Sequence, residues 1–415
     1  MTDFATILAR TPAAIARSAS FPAAELGLDR RRAGAGLALS GGGFRAMLFH
    51  VGTLRRLHEI GALRHVARVS SVSGGSITAA QLALHWEAIH RPGAGTDRFV
   101  ELIQEPLVAF ASSRLDAFSG ITGVLTPRTS IADRVARAYD RFFEGARLAD
   151  VPAEPRFVFC ATNMGTGSVV RFAKTYTADY RIGKRDHLDL SLGTVVAASA
   201  AFPPFLSPMV IELDDESALT QVFDDPPDRD PPPLAGQKPY PHRLELTDGG
   251  VYDNLGLQPV DSYHTLMVSD GGGPFQYEDS VAVNWLGHMI RAWKVTDNQV
   301  RSLRREGLVS EYKAGIRNGA YWGIGTAYSD YPRGAIVVDS GWASELQSIS
   351  TRLWPMPDHR RRQLINWAYC LTDAAIRSFV DPALDPPPAL PYPDQPLDRP
   401  PRAGPRRWWR RALGR

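Results

Sequence analysis

Apolar residues recur along this chain at two periods, and the switches between them mark alternating strands and helices. Residues 36–40 are a short apolar run that stops at Gly41-Gly42-Gly43, the pattern of a buried strand entering a tight turn. From Arg45 the spacing changes to three and four residues, through Met47, Leu48, Val51, Leu54, Leu57 and Ile60. That predicts a helix, which Gly61 ends. Residues 66–72 supply the next strand, and Ser73-Gly74-Gly75 turns the chain into an Ala- and Leu-rich helix running to Trp86. Two strand–turn–helix units in succession imply parallel strands, with two sets of free helix N-terminal N–H groups at one sheet edge.

Further along, residues 87–150 read as helices over the active face, either an ordinary insertion or a lid, with Ser130 as N-cap of an amphipathic stretch over 130–143. Residues 157–163 and 168–174 form a strand pair joined by Met164-Gly165-Thr166-Gly167, and 209–213 another short strand. The Asp- and Pro-rich stretch 214–242 is expected as a mobile surface loop; its acids lack the spacing of a calcium loop. Residues 265–269 are a strand, and 335–338 another. A helix over 281–309 carries Trp285, Met289, Trp293 and Val300 on one face, expected to pack against the sheet, and 359–380 is a long helix. No internal repeat interrupts this order.

Composition narrows the classes. A 415-residue chain with 44% hydrophobic and 22% charged residues can bury a large core, and a net charge of +3 gives no reason to expect nucleic acid. Cys160 and Cys370 are the only cysteines, which excludes a disulfide scaffold and a cysteine-based metal cluster and favours a reducing, cytoplasmic location. Cys160, in a core strand, is expected as a buried thiol. Residues 1–33 are Ala- and Arg-rich without the apolar stretch of a signal peptide, and no run of about 18 apolar residues occurs. A soluble or peripheral protein is expected.

Three stretches carry candidate chemistry. Ser71-Val72-Ser73-Gly74-Gly75 approximates G-x-S-x-G, in which a strained strand-to-helix turn exposes a serine nucleophile; Ser71 replaces the first glycine. Of the hydroxyls at Ser70, Ser71, Ser73 and Ser76, only Ser73 sits at the apex with a glycine two residues on. The plain alternative is a serine-containing turn that caps a helix. Gly41-Gly42-Gly43 offers backbone N–H groups to an anion or a developing oxyanion, or is simply a tight turn. Asp248, before Gly249 and Gly250, closes another strand, as a catalytic acid or as a turn former. Asp270 and Asp253 are its rivals.

Together, Ser40-Gly41-Gly42-Gly43-Phe44-Arg45-Ala46, then the Ser73 turn, then Asp248-Gly249-Gly250 resemble the patatin-like phospholipases, a family related to the catalytic core of cytosolic phospholipase A2. The segment Ala197-Ala198-Ser199-Ala200-Ala201-Phe202-Pro203-Pro204-Phe205 resembles the family's small-residue, proline-ended stretch before the aspartate. The likeness covers roughly residues 34–272. It implies a three-layer α/β/α hydrolase core with a mostly parallel sheet and helical insertions. It also implies a lipid acyl hydrolase in which Ser73 attacks, Asp248 takes its proton and Gly41, Gly42 and Gly43 form the oxyanion hole. Arg45 would bind a lipid phosphate or pair with a local acid, and no metal or organic cofactor is needed. A triad esterase using His50 as base, and a catalytically silent membrane-binding scaffold, remain the alternatives.

The hydrolase domain is expected over 34–380, followed over 381–415 by a proline-rich linker and a basic Arg/Trp tail, expected to be disordered and suited to an anionic membrane surface. The expected partners are a lipid substrate and a peripheral membrane contact; the sequence leaves the oligomeric state open.

Overall fold

The computed structural model describes residues 32–112, 131–203, 206–221, 232–275, 277–351 and 353–400. Residues 1–31, Ser130, the centre of the Asp/Pro stretch and the Arg/Trp end lie outside them.

The chain opens with β1 (Arg32–Leu39), α1 (Gly43–Glu59), β2 (Val66–Val72) and α2 (Gly74–Leu84), the two strand–helix units read from the apolar spacing. There follow α3 (Ile131–Phe142), β3 (Arg156–Asn163), β4 (Ser168–Ala173), β5 (Tyr176–Asp179), β6 (Gly183–Asp186) and α4 (Leu192–Ser199). The second half holds β7 (Met209–Glu212), β8 (Arg243–Asp248), β9 (Tyr263–Asp270), α5 (Trp285–Lys313), β10 (Asn318–Gly323) and α6 (Asp358–Phe379). Among the described residues one sheet takes all ten strands in the order β10-β9-β1-β2-β3-β4-β5-β6, with β8 beside β3 and β7 beside β8. From β10 to β3 neighbours are parallel, and the remaining pairs are antiparallel.

Strand alternation divides the core. In β1, Leu37 and Leu39 join the large cluster with α1 and α6, while Ala38 joins a second cluster on the opposite face with Leu255, Val260 and Leu308 of α5. Helices therefore cover both faces, as parallel strands buried on two sides require. The layer of α1 against α6 is close: a Cβ on Gly52 would stand 2.1 Å from the Ile365 carbonyl oxygen, and Arg56 reaches across to the buried Asp373 at 2.6 Å.

Three elements differ from expectation. Residues 335–338 form no strand; Val337 is exposed, and Tyr328 Oη accepts the Ile336 N–H. The sheet edge is instead β10, whose Asn-Gly-Ala-Tyr-Trp-Gly sequence shows little strand alternation. Helix α5 occurs where expected but rolled over: Trp285, Met289 and Val300 are exposed, and only Trp293 is half-buried. Its polar side faces the body, because Arg301 and Arg304 find partners there in Asp270 and Asp253.

The third difference is the proline-rich stretch after Val380. Residues 381–400 hold no helix or strand, yet they are docked rather than loose. Asn366 donates to the carbonyls of Tyr392 and Gln395 at 2.8 and 2.9 Å and accepts the Tyr392 N–H at 3.0 Å. Leu397 is buried in the main core, and Trp342 donates to the Arg399 carbonyl. Proline denies the stretch a regular ladder without denying it side-chain anchors.

Candidate active site

The register along β3 brings the serine and aspartate together. Strand β2 runs parallel to β3 and ends with Val72 opposite Cys160. Strand β8 runs the other way and ends with Asp248 opposite Ala161. The two C-terminal ends meet head-on beside adjacent residues of one strand, and Ser73 is the next residue after Val72. Their side chains lie close enough for Ser73 to lower the Asp248 pKa.

Ser73 has φ 52° and ψ −118°, a left-handed-side backbone that costs a non-glycine residue of order 1–3 kcal/mol. Its surroundings hold it there. The Ser73 N–H donates to Ser199 Oγ at 3.0 Å, and Ser199 Oγ donates to the Cys160 carbonyl at 2.7 Å. Gly74 must be glycine, since a Cβ there would stand 2.1 Å from the Gly43 carbonyl oxygen. The other hydroxyls are occupied in the scaffold: Ser76 donates to Ser71 at 3.0 Å and lies 2.8 Å from Ser199 Oγ, while Ser70 meets the Cys160 thiol. That thiol is buried, as expected.

Asp248 is 3% exposed, and its Oδ1 accepts the Gly250 N–H at 2.7 Å. Burial pushes its carboxyl up to about 6, against the lowering effects of the Gly250 N–H and Ser73; Asp297 of α5 adds to the rise. The result is a base stronger than an ordinary carboxylate and still ionised at neutral pH. Its backbone is placed by the segment after α4: the Asp248 N–H donates to the Ala201 carbonyl and the Gly249 N–H to that of Ser199.

The glycine turn lies against this pair. A Cβ on Gly41 would stand 3.2 Å from Ser73 Cβ, and Gly42 and Gly43 have φ of 141° and 58°. The N–H groups of Gly42 and Gly43 donate to no acceptor among the described residues. Gly41 differs from the expectation of three donors: its N–H is committed to the Asn254 carbonyl at 3.0 Å. Its contribution is the space its missing side chain leaves beside Ser73.

Arg45 is also placed otherwise than expected. It is 2% exposed, and its guanidinium donates to the carbonyls of Gly271, Gln347 and Ile349 at 3.1, 2.9 and 2.7 Å. Burial lowers its pKa to about 10. A side chain so enclosed ties two loops to the start of α1 and does not reach out to a lipid phosphate. His50 is likewise no base. It is fully buried; Nε2 donates to the Ser40 carbonyl, Nδ1 lies 2.9 Å from Ser269 Oγ, and burial lowers its pKa to about 4. Both nitrogens are used in a core network that continues through Ser269 to Thr53 and Trp322. The rival acids are engaged as well: Asp270 accepts from Tyr321 and Gly272, and Asp253 from Gln258, facing Arg304.

Sequence reasoning did not single out Ser199, Asn254 or Asp297. Ser199 lay within the quoted Ala-Ala-Ser-Ala-Ala segment, and Asn254 six residues after Asp248; nothing local marked Asp297, which reaches the site only because α5 folds over it.

Among curated proteins none matches this chain. Solved structures similar to it include human GIVD cytosolic phospholipase A2 in complex with methyl gamma-linolenyl fluorophosphonate inhibitor and terbium chloride. That match is 14% identical, covers 89% of this chain and 62% of that chain, and has a TM-score of 0.45. Another structure of the same human protein is 13% identical over 71% of this chain and 51% of that one, with a TM-score of 0.42. VipD from Legionella pneumophila is 15% identical over 82% and 66%, at 0.33. This chain thus spans half to two-thirds of the length of these solved chains. The sequence profile of the patatin-like phospholipases matches residues 37–261, more than half the chain and the whole path from the glycine turn past Asp248. The chain belongs to the patatin-like phospholipase family.

Proposed function

We propose that this chain is a serine acyl hydrolase that cleaves fatty acyl esters of phospholipids and related lipids through a Ser73–Asp248 dyad. The observation that carries the reading is the meeting of β2 and β8 along β3, which brings a strained serine and a raised-pKa buried aspartate together beside the N–H groups of Gly42 and Gly43, which donate to no acceptor among the described residues. Family membership supplies the substrate class.

In the proposed reaction Asp248 takes the proton of Ser73 Oγ as the oxygen bonds to the ester carbonyl carbon. The oxyanion forms against the N–H groups of Gly42 and Gly43, where the loss of one donor typically costs about 3–4 kcal/mol of transition-state stabilisation. Asp248 then protonates the leaving alcohol as the carbon–oxygen bond breaks, giving acyl-Ser73. Water then attacks the acyl carbonyl carbon, giving a proton to Asp248, and as the bond to Ser73 Oγ breaks Asp248 returns that proton to the serine and the fatty acid leaves. The catalytic unit is the domain over 34–380 with the following twenty residues docked on it, acting in the cytoplasm as a peripheral protein. Among the described residues no helix is long and apolar enough to cross a membrane.

The enclosed His50 weighs against a triad esterase. A fluorophosphonate probe tests the reading: wild type labels, Ser73→Ala does not, and a lipid panel then assigns head group and acyl position. Labelling that persists in a folded Ser73→Ala protein would refute the assignment of the nucleophile.

A further inference from the structure

Helix α5 turns most of its apolar residues to water; only Leu308 is buried. The side against the body carries Asp297, Arg301 and Arg304, held by an Arg301–Gly273 carbonyl bond of 2.8 Å and ion pairs to Asp270 and Asp253 of 3.6 and 3.4 Å. The side facing water carries Trp285 at 77% exposure, Met289 at 55% and Leu303 at 65%. With the helical repeat of 3.6 residues these three fall in one stripe, flanked by Leu286 and Val300. The loop ahead of the helix extends it, with Tyr277 93% and Val283 96% exposed. An apolar stripe of this length on a water-facing helix marks a surface that is covered in use.

We propose that this outer face of α5, with the loop before it, docks on a lipid bilayer and seats the mouth of the active site on the membrane. The inference rests on the acyl hydrolase reading and adds where the substrate surface lies. Three observations select a bilayer as the occupant. The stripe leads into the site: Trp293 packs on the exposed Phe202 at 5.5 Å, and Phe202 follows Ala201, whose carbonyl holds the Asp248 N–H. An acyl chain leaving a bilayer along this path passes apolar groups up to the dyad. Second, the helix carries six Lys and Arg against three Asp and Glu, a net basic charge that matches anionic headgroups. Third, a 29-residue helix rich in Lys and Arg, with tryptophan and aliphatic residues along one exposed face, has the composition of helices that lie in the interface plane.

The test is co-sedimentation of the full chain with vesicles of ether-linked phosphatidylcholine and phosphatidylglycerol, which bind but cannot be hydrolysed. Three arms are compared: wild type, Trp285→Ser/Met289→Ser/Leu303→Ser, and a truncation after Pro400. The substituted side chains are exposed, so the triple variant should keep the wild-type melting temperature. Its vesicle binding should fall about a hundredfold, because three apolar side chains no longer leave water. The truncated protein should still bind at high salt. Equal binding by wild type and the triple variant, or binding lost only on truncation, would overturn the proposal. So would a wild-type dimer that the triple substitution converts to a monomer without change in vesicle binding, since the stripe then meets a second copy. Binding is read without turnover, so its failure is distinct from a failure of fluorophosphonate labelling.

Discussion

Replacing Asp248 by asparagine should cost nearly all hydrolysis and yet make the protein more stable at neutral pH. The carboxyl is 3% exposed and pushed up to about 6 by burial, from an ordinary 3.8 in the unfolded chain. Between those values the folded protein binds more protons than the unfolded one, so stability falls as pH rises through the window. Below about pH 4 both states are protonated and the penalty vanishes; above about pH 6 it is fully developed. A difference of about 2 units corresponds to roughly 3 kcal/mol. Asparagine keeps an oxygen for the Gly250 N–H and carries no charge, so it escapes the penalty. The stability of Asp248→Asn relative to wild type should therefore increase by up to about 3 kcal/mol between pH 4 and pH 7, read from urea denaturation at both values. In parallel, wild-type kcat/KM on a soluble ester should rise with pH through an apparent pKa near 6 as the base ionises. A stability difference independent of pH, or a flat activity profile from about pH 5 to 8, would refute a buried Asp248 base.

Ser199→Ala leaves the buried Ser73 N–H without its acceptor, a loss of about 1–3 kcal/mol, and should lower kcat more than it raises KM in steady-state kinetics. Arg45→Met should lower the melting temperature, through three abandoned carbonyls, while leaving the KM ratio of phospholipid to neutral ester unchanged; a selective rise for phospholipid would restore the phosphate-binding role. Gly43→Ala should abolish labelling by fluorophosphonate and destabilise the fold together, since its Cβ would stand 1.7 Å from the Thr351 carbonyl oxygen at a φ of 58°. Ending the chain after Val380 should destabilise it by several kcal/mol in urea denaturation, because burial of Leu397 is lost and the Asn366 amide is stranded; ending it after Pro400 should not.

The sequence by itself determined what depends on near neighbours. The strand–turn–helix units around Gly41 and Ser73 follow from apolar period and glycine position, and the strand end at Asp248 from its two glycines. Which serine stands at the apex follows from the turn alone. The tertiary structure decided which distant groups share a site. Asp248 meets Ser73 because two strands of opposite direction end against adjacent residues of β3, and Ser199 holds the elbow because α4 ends beside it. It also decided roles that residue type leaves open. Arg45 turned inward because carbonyls of residues 271, 347 and 349 converge on it, and His50 closed into a core network. Periodicity found α5 and its apolar stripe but not the direction the stripe faces. Helical spacing defines a face only relative to the helix itself; its roll is set by the partners that wait on the body, here Asp270 and Asp253 for arginines on the opposite side.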